Sequence, residues 1–296
     1  MLRIIVRRGG EAAIVLILVS VAVFAMTEAA PGRFLSELRA NPRVSAETVA
    51  LLEARYQLDA PVYQRYLAWL GSAVAGDFGY SALYQIPVSE IVWPRLLNTL
   101  QLAGGAIVLA WLVAVPAGLW AGLRARGVFD RLTAVTSSVL LATPDAVAGL
   151  AVVWLVAVPG PVLPMVALAI VTMPIVFRHT RAAAIEAGQS RVVTSARLHG
   201  LPERVVMLGH VLPLACIPLI PLFALSVSSL LSASLLIEVI VAWPGLGPLM
   251  LDAVLGRDLH LLAASAVMSA ALLVAASAGS DLLLCAIDPR ARSASR

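Results

Sequence analysis

The sequence predicts an all-α polytopic membrane protein, a bundle of six transmembrane helices. Three observations carry this reading. Of the 296 residues, 60% are hydrophobic and 13% are charged, whereas a soluble domain has about a quarter charged. Apolar runs close to the ~20 residues that take a helix across a bilayer recur along the chain. The basic residues, 21 in all and every one an arginine, collect in alternate connecting segments, as membrane topology demands. The net charge of +4 is therefore no sign of nucleic-acid binding. Cys216 and Cys285 both lie in apolar runs without metal-type spacing, so neither a disulfide nor a zinc site is expected.

Residues 1–30 read as a basic N-terminus with Arg3, Arg7 and Arg8, then a retained first span over 12–30. No small-residue cleavage site follows closely, and further spans come after it, so a cleaved signal peptide is the weaker reading. Residues 31–95 are the longest polar segment. Within it, 45–58 has amphipathic helical spacing through Val49, Leu52 and Tyr56. A second helix is expected with an apolar stripe of Tyr63, Tyr66, Leu67, Leu70 and Val74. Gly76-Asp77-Phe78-Gly79 reads as a turn.

The remainder, 96–296, is the membrane core. Spans are expected over 99–123, 132–158 (kinked at Pro144), 162–177, 211–236 and 261–286. A very short turn joins the third and fourth spans. A polar re-entry at 238–260 holds Trp243-Pro244-Gly245-Leu246-Gly247, and 288–296 is a tail.

Between the fourth and fifth spans lies the segment 178–213, with Arg178, Arg181, Arg191, Arg197 and Arg204 in otherwise lipid-compatible surroundings. Ala182 to Ala196 has helical composition. Gly200 is a natural helix stop, because glycine takes the left-handed conformation without strain. Pro202 suits the first position of a following helix, since its missing N–H would have no partner there. The expectation is a helix, a corner at His199-Gly200-Leu201, and a second short helix, forming an elbow outside the bilayer.

With the N-terminus inside, the inner segments hold 14 arginines and the outer segments 7. Six of those seven lie in the one long outer segment, which the positive-inside rule weights weakly. Both termini and the elbow are thus expected in the cytoplasm, in a cell (plasma or inner) membrane.

The elbow resembles the cytoplasmic loop of ABC-importer permeases, in which a glycine is followed ten residues later by a segment closing on Leu-Pro. Here these are Gly200 and His210-Val211-Leu212-Pro213. The subfamily resembled is that of the dipeptide and oligopeptide permeases, through Ala196-Arg197-Leu198-His199-Gly200-Leu201 and His210. Three further stretches resemble the first-named subunit of such permease pairs. They are Tyr56-Gln57-Leu58-Asp59-Ala60-Pro61 with Gly76-Asp77-Phe78-Gly79-Tyr80-Ser81, the Trp243 loop, and Asp288-Pro289-Arg290. Together they cover nearly the whole chain. Departures are Arg191-Val192-Val193 where an acidic-Tyr-Val run is usual, His199 where a lysine is usual, and the short outer turn.

The resemblance implies a type I ABC-importer permease architecture and no enzymatic activity in this chain. It implies a second homologous permease subunit, two cytoplasmic ATPase subunits carrying the ATP and Mg, and an external substrate-binding protein. No cofactor or metal is expected on this chain. The elbow would couple to the ATPase through Ala196, Arg197, Leu198, His199, Gly200, Leu201, Arg204 and Val205. Peptides would be the cargo, with nickel or metallophore complexes, haem or glutathione as alternatives. Asp145, in mid-span, and Ser229, in the Ser-rich fifth span, are candidates for the translocation path, since an ionisable group at depth is costly unless it faces a cavity or partner; the alternatives are a structural hydrogen bond or interfacial position for Asp145 and packing against the partner permease for the serines. Tyr80, Trp243 and Gly245 are candidates for docking the binding protein.

Two other classes explain less. A gradient-driven secondary transporter needs its own ion-coupling site, and Asp145 alone makes none. A membrane scaffold explains the spans but not the elbow's spacing. No nucleophile–base pair and no H-E-x-x-H supports a membrane enzyme.

Overall fold

The computed structural model describes residues 2–29, 60–155, 160 and 162–287. The amphipathic stretch at 45–58, most of the turn at 158–161 and the tail with Asp288-Pro289-Arg290 lie outside the described residues. Every regular element among the described residues is helical. In order these are α1 (Leu2–Ala29), α2 (Val62–Val74), α3 (Val88–Leu123), α4 (Val128–Ala142), α5 (Asp145–Leu155), α6 (Val162–Gly188), α7 (Arg191–Leu198) and α8 (Glu203–Val206). A π-helical turn (Met207–Val211) then leads into α9 (Leu212–Cys216), α10 (Leu219–Ile240), α11 (Leu246–Leu255) and α12 (Leu259–Ile287). The chain divides into two compact units, Met1–Thr99 with Pro244–Val274, and Leu100–Trp243 with Ala275–Arg296.

Five helices are long and apolar enough to cross a membrane: most of α1, α3, α6, α10, and α12 up to Gly279. The expected third span is not a kinked rod. It is the pair α4–α5, bent by 114°. The break falls at Pro144, which disfavours the α conformation at the preceding residue; Thr143 is extended at φ −88°, ψ 129°. The pair still counts as one crossing. Positions 105, 118 and 122 of α3 face Met165, Phe177–Thr180 and Arg181–Ala184 of α6 in that order, so the two helices run parallel. The chain between them returns once, which gives six spans.

In the second unit α6 is the central helix, packed against α4, α5, α9 and α10. Its contact with α3 runs through small residues. A Cβ on Gly118 would lie 2.8 Å from the Phe177 carbonyl oxygen, and one on Gly122 would lie 2.6 Å from Ala184 Cβ. Glycines four apart let two helices approach closely, where van der Waals packing replaces the hydrophobic drive that lipid lacks. Ala114, Ala121, Val176, Phe177, Leu219 and Leu222 fill the space around this seam, and Trp111 meets Phe223 edge to face at 5.1 Å.

In the first unit α2 lies on α1. Its buried face differs from the expected stripe. Trp69 and Tyr66 turn inward onto Phe24, each with ring centroids 5.3 Å away, and Tyr66 Oη is 3.0 Å from Ser20 Oγ. Tyr63, Leu67 and Val74 stay exposed. The indole lies outside the expected stripe, and its N–H donates to the Phe78 carbonyl at 3.2 Å, so its burial leaves no polar group unmet.

Gly122→Leu would force α3 off α6 and is expected to destabilise the protein by about 1–3 kcal/mol, as overpacking does. The check is a lower melting temperature in detergent, with Gly104→Leu, whose Cβ would meet nothing within 4 Å, as the unchanged control.

Candidate functional site

The elbow grows out of α6 without a break. The fourth span was expected to stop at Phe177, but its helix carries Arg178 and Arg181 on to Gly188. Ser190 then caps α7, its hydroxyl accepting from Val193 N at 3.4 Å. The far end of α7 closes with Gly200 left-handed at φ +76°. Gly200 N donates to the Arg197 carbonyl (3.0 Å) and Leu201 N to the Ala196 carbonyl (3.4 Å). That pair of bonds is a Schellman stop and accounts for the glycine. Pro202 sits one position earlier than expected, as the cap of α8, with its carbonyl accepting from Val205 N (2.8 Å) and Val206 N (3.1 Å).

One face of the elbow is buried. Val193 and Ala196 pack with Ala184 and Ala187 of α6, Val206 of α8, Val211 and Ala215. The other face is open: Leu198 is 83% exposed, Leu201 40%, Val205 48% and Leu208 70%. A row of exposed apolar side chains on a polar segment marks a contact surface. Arg197 is committed within the elbow, pairing with Glu203 at 2.7 Å and reaching the Gly188 carbonyl at 3.4 Å. That hydrogen bond holds the Glu203 carboxyl below its usual range. Arg204 is exposed. Beside α7 runs an open groove of about 480 Å³ lined by Arg191, Val192, Ser195, Ala196, His199, Leu201 and His210.

Asp145 stands at the break of the bent span, on the first turn of α5 and exposed. It is thus at a helix N-terminus, where the macrodipole favours a carboxylate, rather than inside an unbroken span. Ser229 is exposed on α10. Its neighbours are occupied: Ser226 bonds the Leu222 carbonyl, Ser234 the Leu231 carbonyl, and Ser228 meets Ser277 of α12 at 3.1 Å. The polar re-entry begins later than expected, since Glu238 is fully buried within α10. Trp243 N donates to the Glu238 carbonyl at 2.8 Å. Gly245 is buried and precedes α11. Asn98 donates to the Pro244 carbonyl (2.8 Å) and Thr99 Oγ1 accepts from Leu246 N (3.0 Å), so the start of α3 fixes that loop. Tyr80 pairs with Pro87 in an isolated β-bridge, and its hydroxyl donates to the Gln85 carbonyl.

Three acids escaped the sequence reading. Asp258, buried, caps α12 through Leu261 N (3.1 Å) and holds the 81–84 loop through Ser81 Oγ (2.6 Å) and Leu83 N (3.0 Å). An aspartate just before an apolar run is a legible cap signal, but its grip on Ser81, 177 positions away, is not. Asp252 accepts from the Tyr84 hydroxyl at 2.9 Å; burial, then this bond, raises the Tyr84 hydroxyl above its usual range. Asp130, in the first turn of α4, is gripped by the guanidinium of Arg181 through Nε and through Nη2 at 3.0 Å, and by Arg126 N at 2.8 Å. No group of His, Cys, Asp or Glu among the described residues is placed to hold a metal.

These features define a polytopic helical membrane protein with a cationic, half-buried elbow built onto its central helix. The chain belongs to the family described as binding-protein-dependent transport system inner membrane component, whose model matches residues 114–293. The N-terminal component of the same family matches residues 1–103. The oligopeptide transport system permease protein AppB of Bacillus subtilis is 31% identical, over 97% of this chain and 98% of its own length. The dipeptide transport system permease protein DppB of Lactococcus lactis is 28% identical over 99% and 100%. OppB of Salmonella typhimurium, an oligopeptide permease, is 30% identical over 99% and 100%. The chain is therefore a permease subunit of a multi-subunit ABC importer and a multi-pass membrane protein.

Asp258→Ala strips three donors of their buried acceptor and is expected to cost about 1–3 kcal/mol. Thermal unfolding in detergent reads the loss, and limited proteolysis is expected to cut the released loop at Tyr84.

Proposed function

We propose that this chain is one of two permease subunits of an ATP-driven importer for di- and oligopeptides handed over by an external binding protein. The observation that carries this reading is a likeness to peptide permeases that spans essentially the full length of both chains. ATP and Mg belong to two cytoplasmic ATPase subunits, since the sequence has no phosphate-cradling G-x-x-x-x-G-K-[ST] loop. The arginine distribution supports cytoplasmic termini and a cytoplasmic elbow.

On this reading the elbow is the coupling element. Ala196 and Gly200 set its shape. Leu198, Leu201 and Val205 form the apolar knob that enters the ATPase, with His199 and Arg204 at its rim and Arg197 bracing the corner through Glu203. Closure of the ATPases on ATP moves the knob, and α6 carries that movement into the bundle. Asp145 and Ser229 belong to the translocation path, where the carboxylate at the break of the bent span meets the amino end of a peptide. Tyr80, Trp243 and Gly245 lie in the segments that receive the binding protein.

Leu198→Glu alters a side chain with almost no internal contacts, so folding is expected to survive. Co-purification of the ATPase subunits from membranes should fall about tenfold or more, as when a charge replaces an apolar anchor, and peptide uptake should fall with it. Undiminished ATPase recovery and uptake would refute the coupling role.

A further inference from the structure

The groove beside α7 is cationic and has no acid of its own. Its walls are Val192, Ala196 and Leu201, and its polar lining is Arg191, Ser195, His199 and His210, with no carboxylate among them. Glu203, the acid that follows the corner, is taken by Arg197. Arg191 opens α7, and no acidic residue stands in that first turn. A cation there opposes the positive end of the helix dipole. A local rule broken with no compensation among the described residues points to a residue placed for a partner outside them. His199 turns its Nδ1 back to the Ser195 carbonyl at 2.7 Å. His210 keeps a buried Nδ1 with no hydrogen-bond partner among the described residues.

We infer that this groove seats a carboxylate side chain of the ATPase subunit, with Arg191 as the fork that binds it. The inference rests on the coupling role proposed for the elbow and adds the chemistry of the partner. A guanidinium presents two parallel N–H donors to a carboxylate, which fixes geometry as well as charge. The same carboxylate would answer the exposed end of the α7 dipole. The occupant is assigned to the ATPase rather than to a lipid headgroup because the groove is continuous with the apolar knob: Leu201 lines the groove and also belongs to the exposed row with Leu198 and Val205. An Asp or Glu flanked by an apolar pocket is the complementary surface.

The composition supplies a clean test. The chain has no lysine, its 21 basic residues all being arginine, so Arg191→Lys introduces a single side-chain amine. The full complex carrying Arg191→Lys is treated in membranes with a carbodiimide, which joins an amine to a carboxylate in contact with it. The unsubstituted complex and one carrying Arg178→Lys are the controls. The expected result is a permease–ATPase adduct absent from both controls, with the bond mapped by mass spectrometry to position 191 and to an Asp or Glu of the ATPase. In parallel, Arg191→Glu is expected to lower ATPase recovery about tenfold by like-charge repulsion, and Arg191→Gln by less. Recovery of ATPase with no bond at position 191, together with full recovery for Arg191→Glu, overturns the inference while leaving the coupling role intact. Retention of anionic lipid that depends on Arg191 under those conditions would assign the groove to a headgroup instead. Absence of ATPase from the unsubstituted complex would instead remove the coupling role, and this inference with it.

Discussion

The second unit depends on one continuous apolar seam along α6. The helix enters as a lipid-compatible rod at Val162 and leaves at Gly188. Over that length its inward face changes partners without a gap. Gly118 and Gly122 of α3 let it approach to backbone distance. Val176 and Phe177 meet α10, and Ala184 and Ala187 receive Val193 and Ala196 of the elbow. Small side chains make this possible, because in lipid close van der Waals contact has to do what the hydrophobic effect does in water. The polar elbow is therefore fastened by the same seam that holds the bundle.

The broken span shows how a proline and an ion pair divide one task. Pro144 disfavours the α conformation at Thr143, and the rod becomes two helices at 114°. The half that precedes the break packs on α6 and adds a polar anchor, Asp130 at its first turn bonding Arg181 and the Arg126 amide. Asp130 is buried and Arg181 half-buried, and such a pair is poor evidence of net stability, because desolvation offsets much of the attraction. What it does supply is register: the start of α4 is fixed against the end of α6, beside the elbow.

The sequence revealed the spans, the corner at Gly200 and the exposed knob, because each rests on local chemistry. Apolar length marks a span, a left-handed position asks for glycine, and Leu198, Leu201 and Val205 stand out in a polar stretch. It hid whatever depends on distant partners. Arg197, expected to contact the ATPase, gives its guanidinium to Glu203. Asp145 looked buried at depth because the 114° bend at Thr143–Pro144 cannot be sized from a single proline. The Asp258–Ser81 and Asp130–Arg181 pairs join segments far apart in the chain and carry no periodic signal. The span limits shifted for a related reason. Helices continue past the apolar run whenever tertiary contact rewards them, as α3 does from Val88 and α6 does to Gly188.

The composition of the elbow's buried face bears on its mechanics. Its fully buried residues are alanines and valines, with few or no rotamers to exchange, and Leu119, Met207 and Leu214 pack against them half-buried. On the opposite side the Arg197–Glu203 pair spans the corner between α7 and α8. Exposed ion pairs contribute little to stability, but across a left-handed glycine corner even a weak brace opposes the one hinge motion available. The π-helical turn at Met207–Val211 follows directly. Such turns concentrate at functional sites, and here it is where stiff elbow passes into the next span.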